Sequence, residues 1–413
     1  MAWSGPGPPR YRRQELLFAL LGTAAFVADL GADLWLAASY ARAGQRLWAA
    51  LVLLLLGLSS LAVQGFSWAW YRADPADLEP DLPRGGCLAA LHLLQLGYLY
   101  RCFRALRVGW RVCREENAPE EERGLAVFLS HDISMLRLFE TFLESTPQLT
   151  LVLTIILHTN KAEPFQGLGI CTASLCVAWS LLDYHQSLRS FLVDKHTLGP
   201  LSSAIYFLWN FFLVCPRILA VALFATIFPC YVALHFLAVW AAMLLWAWLQ
   251  GTTFMECPRR EWLYRATVAV ILYFCWFNVA EGQTLYRSVI YHGFILVDSV
   301  LLAGSSLWYS APLRERSYLL PVLSTALLCY VLGLLLRLAY YQWFHPSLQA
   351  QRREACDEVD AAEGLAEDAS GFRAGPAPAC VNRRMYHLAQ KHFSVSLQAR
   401  QNWGNGVMEN TPV

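Results

Sequence analysis

The chain has 413 residues, of which 56% are hydrophobic and only 15% are charged. Soluble domains carry about 25% charged residues, so this composition excludes an ordinary globular protein and points to an all-helical polytopic membrane protein. The net charge of +1, without a basic run, offers nucleic acid no footing.

Taken in chain order, the N-terminus (1–13) is short and basic, and Arg10, Arg12 and Arg13 place it in the cytosol. The apolar segment after it is too long and too charged for a cleaved signal peptide and reads as a first span. Ten apolar segments lie near 14–41, 47–71, 87–110, 125–157, 166–192, 199–229, 231–250, 262–281, 287–308 and 318–344. The third holds Arg101, Arg104 and Arg107 and runs into Arg111 and Arg114. These read as cytosolic charge on a helix that enters the membrane and returns. The eighth takes the equivalent place if the ten are two sets of five. The expectation is therefore eight crossings, two partly inserted helices, a helical membrane domain over 14–345 and a cytosolic tail over 346–413. The 12 cysteines are scattered without a C-x-x-C pair, which predicts neither a metal site nor a disulfide framework. Nucleophile-elbow and metal-ligand spacings are absent as well, so no hydrolytic chemistry and no cofactor are expected.

Charge recurs where it is expensive. The first segment carries Glu15, Asp29 and Asp33. Asp29 and Asp33 are one turn apart, and Glu15 lies five full turns before Asp33, so all three share a face. At about 1.5 Å per residue this ladder of acids covers roughly 27 Å, nearly the hydrocarbon thickness. Asp132 to Leu157 is long and apolar enough to cross a bilayer, yet it holds Arg137, Glu140, Glu144 and Gln148. At about 100° per residue these form one polar stripe within about 80° of arc. A mid-bilayer charge costs roughly 2.5–3.5 kcal/mol, so such groups face protein or a watery cavity. Arg137 with Glu140 or Glu144 would make an internal lock between helices. One base against two acids is not balanced, which favours a polar pathway over the lock. Asp183 near the end of the fifth segment, Arg217 after the kink-prone Pro216, and Asp298 in mid-segment extend the same system. Arg337 and His345 are close enough to a helix end to snorkel. Trp48 opens the second segment, the ordinary place for an interfacial belt residue.

The tail begins with an acidic stretch low in aromatics, which reads as disordered. Within it Asp357-Glu358-Val359-Asp360, followed by Ala361, is the tetrapeptide that executioner caspases prefer, with the cut between Asp360 and Ala361. Beyond it a short amphipathic helix is expected. Met385, Leu388, His392 and Phe393 would face one way, and Arg384, Gln390 and Lys391 the other.

The runs A-D-L-G-A-D-L-W, L-H-L-L-Q-L-G-Y-L-Y-R, D-I-S-M-L-R-L-F-E-T-F-L-E-S-T-P-Q-L-T-L-V-L, I-Y-F-L-W-N, W-F-N-V-A-E-G and N-R-R-M-Y-H-L-A-Q-K resemble the XK-related family over nearly the whole chain. The resemblance implies eight spans with two partly inserted helices, a plasma-membrane location and caspase-activated phospholipid scrambling without ATP, which exposes phosphatidylserine in apoptosis as an engulfment signal. It implies a single-span immunoglobulin-type partner such as basigin or neuroplastin. It also implies that Glu15, Asp29, Asp33, Arg137, Glu140, Glu144, Asp183, Arg217 and Asp298 line the lipid path, that Trp48 is the extracellular-side gate, and that Met385, Leu388 and Phe393 plug the cytosolic mouth. Glu15 stands where the family carries aspartate, and Gln186 where it carries arginine. Deep charges also mark ion channels and secondary transporters, and a structural partner subunit is a third reading.

Overall fold

The structure is a computed structural model that describes Tyr11, 13–74, 85–115, 118–190, 199–255, 257–279, 284–311, Glu315, Ser317, 319–340 and 382–389. Its elements are all helical: α1 (Arg13–Arg42), α2 (Arg46–Ala73), α3 (Gly85–Leu93), α4 (Gly97–Arg114), α5 (Glu120–Leu143), α6 (Ser145–Thr159), α7 (Pro164–Arg189), α8 (Pro200–Ile227), α9 (Pro229–Leu249), α10 (Pro258–Phe274), α11 (Thr284–Tyr309) and α12 (Leu319–Ala339). A tail helix occupies 383–389.

Local chemistry sets the boundaries. Four helices begin on a proline in the first turn, at Pro164, Pro200, Pro229 and Pro258, where the missing N–H costs nothing. Glu163 and Gln166 add a reciprocal capping box to α7. Asn160, at φ 53°, closes α6 in the left-handed conformation that asparagine tolerates. Helix α8 runs through Pro216 as one helix.

Seven helices are long and apolar enough to cross a membrane, namely α1, α2, α7, α8, α9, α11 and α12. The chain is a multi-pass membrane protein. Helices α9, α11 and α12 expose leucines around much of their surface, among them Leu234, Leu237, Leu301, Leu328 and Leu335, as lipid contact requires. The central helix α8 packs against α6, α7, α11 and α12, while α1 packs against α2, α4 and α7.

Several expected segments are divided or shortened. The stretch read as a single helix over 125–157 breaks at Glu144 into α5 and α6. Pro147 cannot bond to residue 143 and crowds its carbonyl, so the helix has to restart there. The third segment breaks between α3 and α4 at Gln95, whose φ is 62°. In the eighth, helix α10 stops at Phe274, because Cys275 is extended.

Contacts fix which helix ends share a face. Gly109, near the end of α4, lies against Tyr11, just before α1, and Arg111 pairs with Glu122 at the start of α5. The ends of α2 and the tail helix meet through Asp74 and Arg384. At the opposite side Phe228, between α8 and α9, touches Tyr309 at the end of α11. An aromatic cluster of Phe66, Trp70, Phe139, Phe254 and Tyr264 fills the middle between α2, α5 and α10, with centroids as close as 4.4 Å.

Candidate functional site

The acids of α1 and α5 converge. Asp29, Asp33, Glu140 and Glu144 are all buried, and the charges around Glu140 are those of Glu144, Asp29, Arg137 and Asp33. Helix α1 supplies Asp29 and Asp33 from successive turns, and the break before Pro147 presents Glu144 beside them. Hydroxyls hold part of this cluster. The Oγ of Ser145 donates to Asp29 at 2.6 Å, and that of Ser59 on α2 donates to Glu144 at 2.6 Å. Gln148 donates to the Val52 carbonyl at 3.3 Å, which ties α6 to α2.

The only arginine on the stripe makes no ion-pair contact with Glu140 or Glu144. Arg137 pairs instead with Asp183 on α7, so the alternative of a lock within the stripe gives way to an ion pair between α5 and α7. Its guanidinium lies directly against Gly22 of α1, where an added Cβ would collide with Cζ. No other residue leaves room for that approach. Several buried polar atoms find no partner among the described residues: Asp33 Oδ2, Glu144 Oε1, Gln148 Oε1, and Nε and Nη2 of Arg137. Finished protein interiors leave few such groups.

Asp183 and Glu15 both line a cleft of about 840 Å³ between α1, α5, α7 and α8. Leu17, Phe18, Leu175, Trp179 and Phe207 form part of its apolar wall, and Glu15, Asp183, Gln186, Arg189 and His131 are among its polar groups. Gln186 thus sits in the cleft and donates to Ser203 at 3.3 Å. A cation is nevertheless present one turn on, as Arg189.

Arg217 and Asp298 form a second centre. The Arg217 guanidinium meets Asp298 at 2.6 Å and Ser299 at 3.1 Å, and it lies 4.7 Å from the Tyr273 ring centroid. His235 bridges Asp298 at 3.0 Å through Nε2 and Tyr273 at 3.1 Å through Nδ1. A neutral ring satisfies both by donating to the carboxylate and accepting from the phenol. Position alone could not have singled out His235, whose segment carries no other polar residue at that depth. Trp48 is half-buried at the far end of the α1 ladder, beside Leu36, Tyr40, Val52 and Ile155.

Three sequence readings are corrected by burial. Arg101, read as cytosolic charge, does not face solvent. It is fully buried, paired with Asp132 and stacked 3.8 Å from the Tyr71 ring centroid. The buried face of α4 is Tyr98, Arg101, Cys102, Ala105, Val108 and Val112, and that helical period was available in the sequence. Arg337 does not snorkel, since it pairs with His292, bonds Ser288 at 2.5 Å and stacks on Trp209. Arg384 does not lie on the outer face of the tail helix. One turn before Leu388, it shares the buried face and meets Asp74 at 2.6 Å and Asp132 at 3.1 Å. Asn382 reinforces this by donating to Asp132 at 2.6 Å and accepting from the Met385 N–H at 3.2 Å. Burial opposes the Arg384 charge, but Asp132 and Asp74 outweigh it and hold its pKa above the ordinary arginine value. Met385 and Leu388 are buried beneath the tail helix. Phe393, Asp357, Glu358, Val359, Asp360 and Ala361 lie outside the described residues.

The profile of the family described as XK-related protein matches residues 17–346. The chain is 53% identical over 393 residues to XK-related protein 8 of Pan troglodytes, covering 95% of this chain and 97% of that one. It is 43% identical over 405 residues to XK-related protein 8 of Tetraodon nigroviridis, covering 94% and 98%. Against XK-related protein 8 of Gasterosteus aculeatus it is 42% identical over 401 residues, covering 93% and 98%.

Proposed function

The chain belongs to the XK-related family, and on that premise we propose that it is a phospholipid scramblase of the plasma membrane, opened when a caspase removes its tail. The observation that carries this reading is the buried acid cluster of Asp29, Asp33, Glu140 and Glu144, with partnerless polar atoms, continuing through Arg137 and Asp183 into the cleft.

A headgroup crossing bare hydrocarbon must shed its water and its ion partners. Fixed acids and bases replace those partners step by step, while the acyl chains stay in the bilayer. The four carboxylates of the cluster suit the amine that common headgroups carry, and Arg137 and Arg189 suit the phosphate. The mixed wall of the cleft matches a molecule with a polar head and apolar tails. No covalent step and no ATP enter, so net flow runs down the lipid gradient. Phosphatidylserine held in the inner leaflet would move outward and mark the cell for engulfment.

The topology that goes with this reading has eight crossings, with the α5–α6 pair adding one to the seven apolar spans. Helices α3–α4 and α10 are then the partly inserted elements, and both termini are cytosolic. The shared face of the α1 start, the α2 end and the tail helix supports this arrangement. Trp48, at the other end of the ladder, would gate the extracellular side. Cutting after Asp360 would release residues 361–413 and with them the tail helix. A basigin- or neuroplastin-type partner would deliver the complex to the surface.

The test is exchange of fluorescent lipid between leaflets of liposomes that contain only this protein, before and after caspase treatment. Exchange that appears on cleavage supports the proposal. A requirement for an ion gradient, or no exchange in either state, counts against it.

A further inference from the structure

On the face that carries the tail helix, a second cavity of about 390 Å³ is lined by Ala69, Trp70, Arg72, Ala73, Met255, Cys257, Arg260 and Arg384. It is separate from the acid cluster. Three arginines line it, and no carboxylate does so among the described residues.

The local electrostatics are unusual for a helix start. The positive end of a helix dipole favours acids in the first turn. Helix α10 begins Pro258-Arg259-Arg260-Glu261, which puts two cations there. The one acid is turned away, because its carboxylate takes the Phe254 and Met255 N–H groups at 3.1 and 2.6 Å. The Arg260 and Glu261 N–H groups bond the Cys257 carbonyl at 2.9 and 3.1 Å, and the start of α10 holds the Cys257 thiol below its ordinary pKa. Arg260 is steadied by the Ala69 carbonyl at 3.2 Å. Arg384 lines the cavity and is more than nine-tenths buried; its Nη atoms bond Asp74 and Asp132, and its Nε has no partner among the described residues. The Arg384 charge is met by Asp74 and Asp132, whereas Arg72, Arg259 and Arg260 leave positive potential beside a concave site that an anion would relieve.

The depth is that of lipid headgroups. Trp262 in the second turn of α10 stacks on Trp248 at the end of α9, at 6.5 Å, and both rings are about half exposed. Arg265 sits 5.3 Å over Trp262. A pair of half-exposed tryptophans beside arginines is the pattern of a membrane interface.

We infer that Arg72, Arg260, Arg384 and the N-terminus of α10 form a binding site for a phosphate monoester, carried by a lipid headgroup or by a soluble molecule. Arginine forks suit this ligand, whose oxygens accept paired N–H donors. Because Arg384 reaches the site only when the tail helix is docked, ligand binding and tail docking support each other. That reciprocity is required by linkage and does not depend on what the protein transports.

The experiment uses the full chain in phosphatidylcholine nanodiscs. One arm titrates fluorescent phosphatidylinositol 4,5-bisphosphate in the disc, and the other titrates soluble inositol 1,4,5-trisphosphate. The Arg72→Gln/Arg260→Gln double variant should weaken binding about tenfold or more, the loss expected for charge-assisted bonds. Arg42→Gln, at the opposite end of α1, should change nothing. A chain ending at Asp360 should bind less tightly than the intact chain. If the double variant fails to fold, each single variant carries the same comparison. Binding of the lipid alone assigns the site to a headgroup, and binding of the trisphosphate shows that a free phosphate suffices; both support a phosphate site. Binding of neither probe, or equal affinity in wild type and the arginine variants, overturns it. Tighter binding after truncation would show that the tail competes with the anion and would overturn the linkage.

Discussion

Arg384 and Asp132 stand 252 positions apart in the chain, and the tail guanidinium lies 3.1 Å from the carboxylate in the interior of the bundle. Asp132 is also the partner of the fully buried Arg101. The tail therefore completes an internal ion-pair network, which a purely apolar plug would not do. Removing it leaves Asp132 paired on one side only and Asp74 without its arginine.

The two halves of that network should respond differently to substitution. Arg384→Gln should leave the membrane helices folded and loosen the tail, seen as faster amide exchange over 383–389 and lipid exchange without caspase. Asp132→Asn breaks the buried Arg101–Asp132 ion pair, a change that costs about 3–5 kcal/mol. It should lower the thermal midpoint and the yield. Equal, small effects of the two changes would show that the network is dispensable.

Met385 and Leu388 supply the apolar part of docking, about 1.5–3 kcal/mol for each fully buried side chain. Leu388→Asp in the uncut protein should leak lipid at a measurable rate. A variant that stays silent would mean that the polar lock holds the tail without them.

Within the acid cluster, Glu140→Ala or Glu144→Ala should slow scrambling about tenfold or more while surface expression is kept. That factor corresponds to about 1.4 kcal/mol in the barrier. Normal lipid exchange in both variants, at normal surface levels, would reduce the cluster to a helix lock.

Gly22 permits the Arg137 guanidinium to lie against α1, so Gly22→Ala should push it off Asp183. Overpacking of this kind costs about 1–3 kcal/mol, read as a lower midpoint of thermal unfolding. Gly31→Ala on the same helix meets nothing within 4 Å and serves as the control. Matching midpoints for the two variants would rule out the close contact.

The activation step depends on a single carboxylate. Asp360→Ala should leave the protein at the surface but silent in apoptosis, because caspases read the aspartate before the cut in a basic pocket. A chain truncated at Asp360 should be active without caspase, since cleavage supplies no energy and only shifts a closed–open population. Timely phosphatidylserine exposure by the uncleavable variant, with a silent truncated chain, would reverse this model of activation.

Composition and periodicity alone determined that this chain is a helical membrane protein and that its first and fourth apolar segments carry acids on one face. Those features are local: a charge inside an apolar run is expensive wherever the run ends up, so its presence can be read without coordinates. The family could also be read from the long runs such as the one from Asp132 to Leu157. The partners of the charges could not. Arg137 has an acid three positions on in its own helix and another seven on at the helix break, yet it pairs with Asp183 on another helix, because Gly22 opens the space that turns it that way. The period of α4 could have placed Arg101 in the interior, but nothing near it in sequence names Asp132 as its partner. Arg384 looks like the solvent side of a short amphipathic helix until α2 and α5 bring Asp74 and Asp132 beneath it. Sequence spacing fixes which side chains share a face of one helix. Only packing between helices decides which opposite charge that face will meet, and over the few ångströms where an ion pair forms that choice separates a lock, a path and a latch.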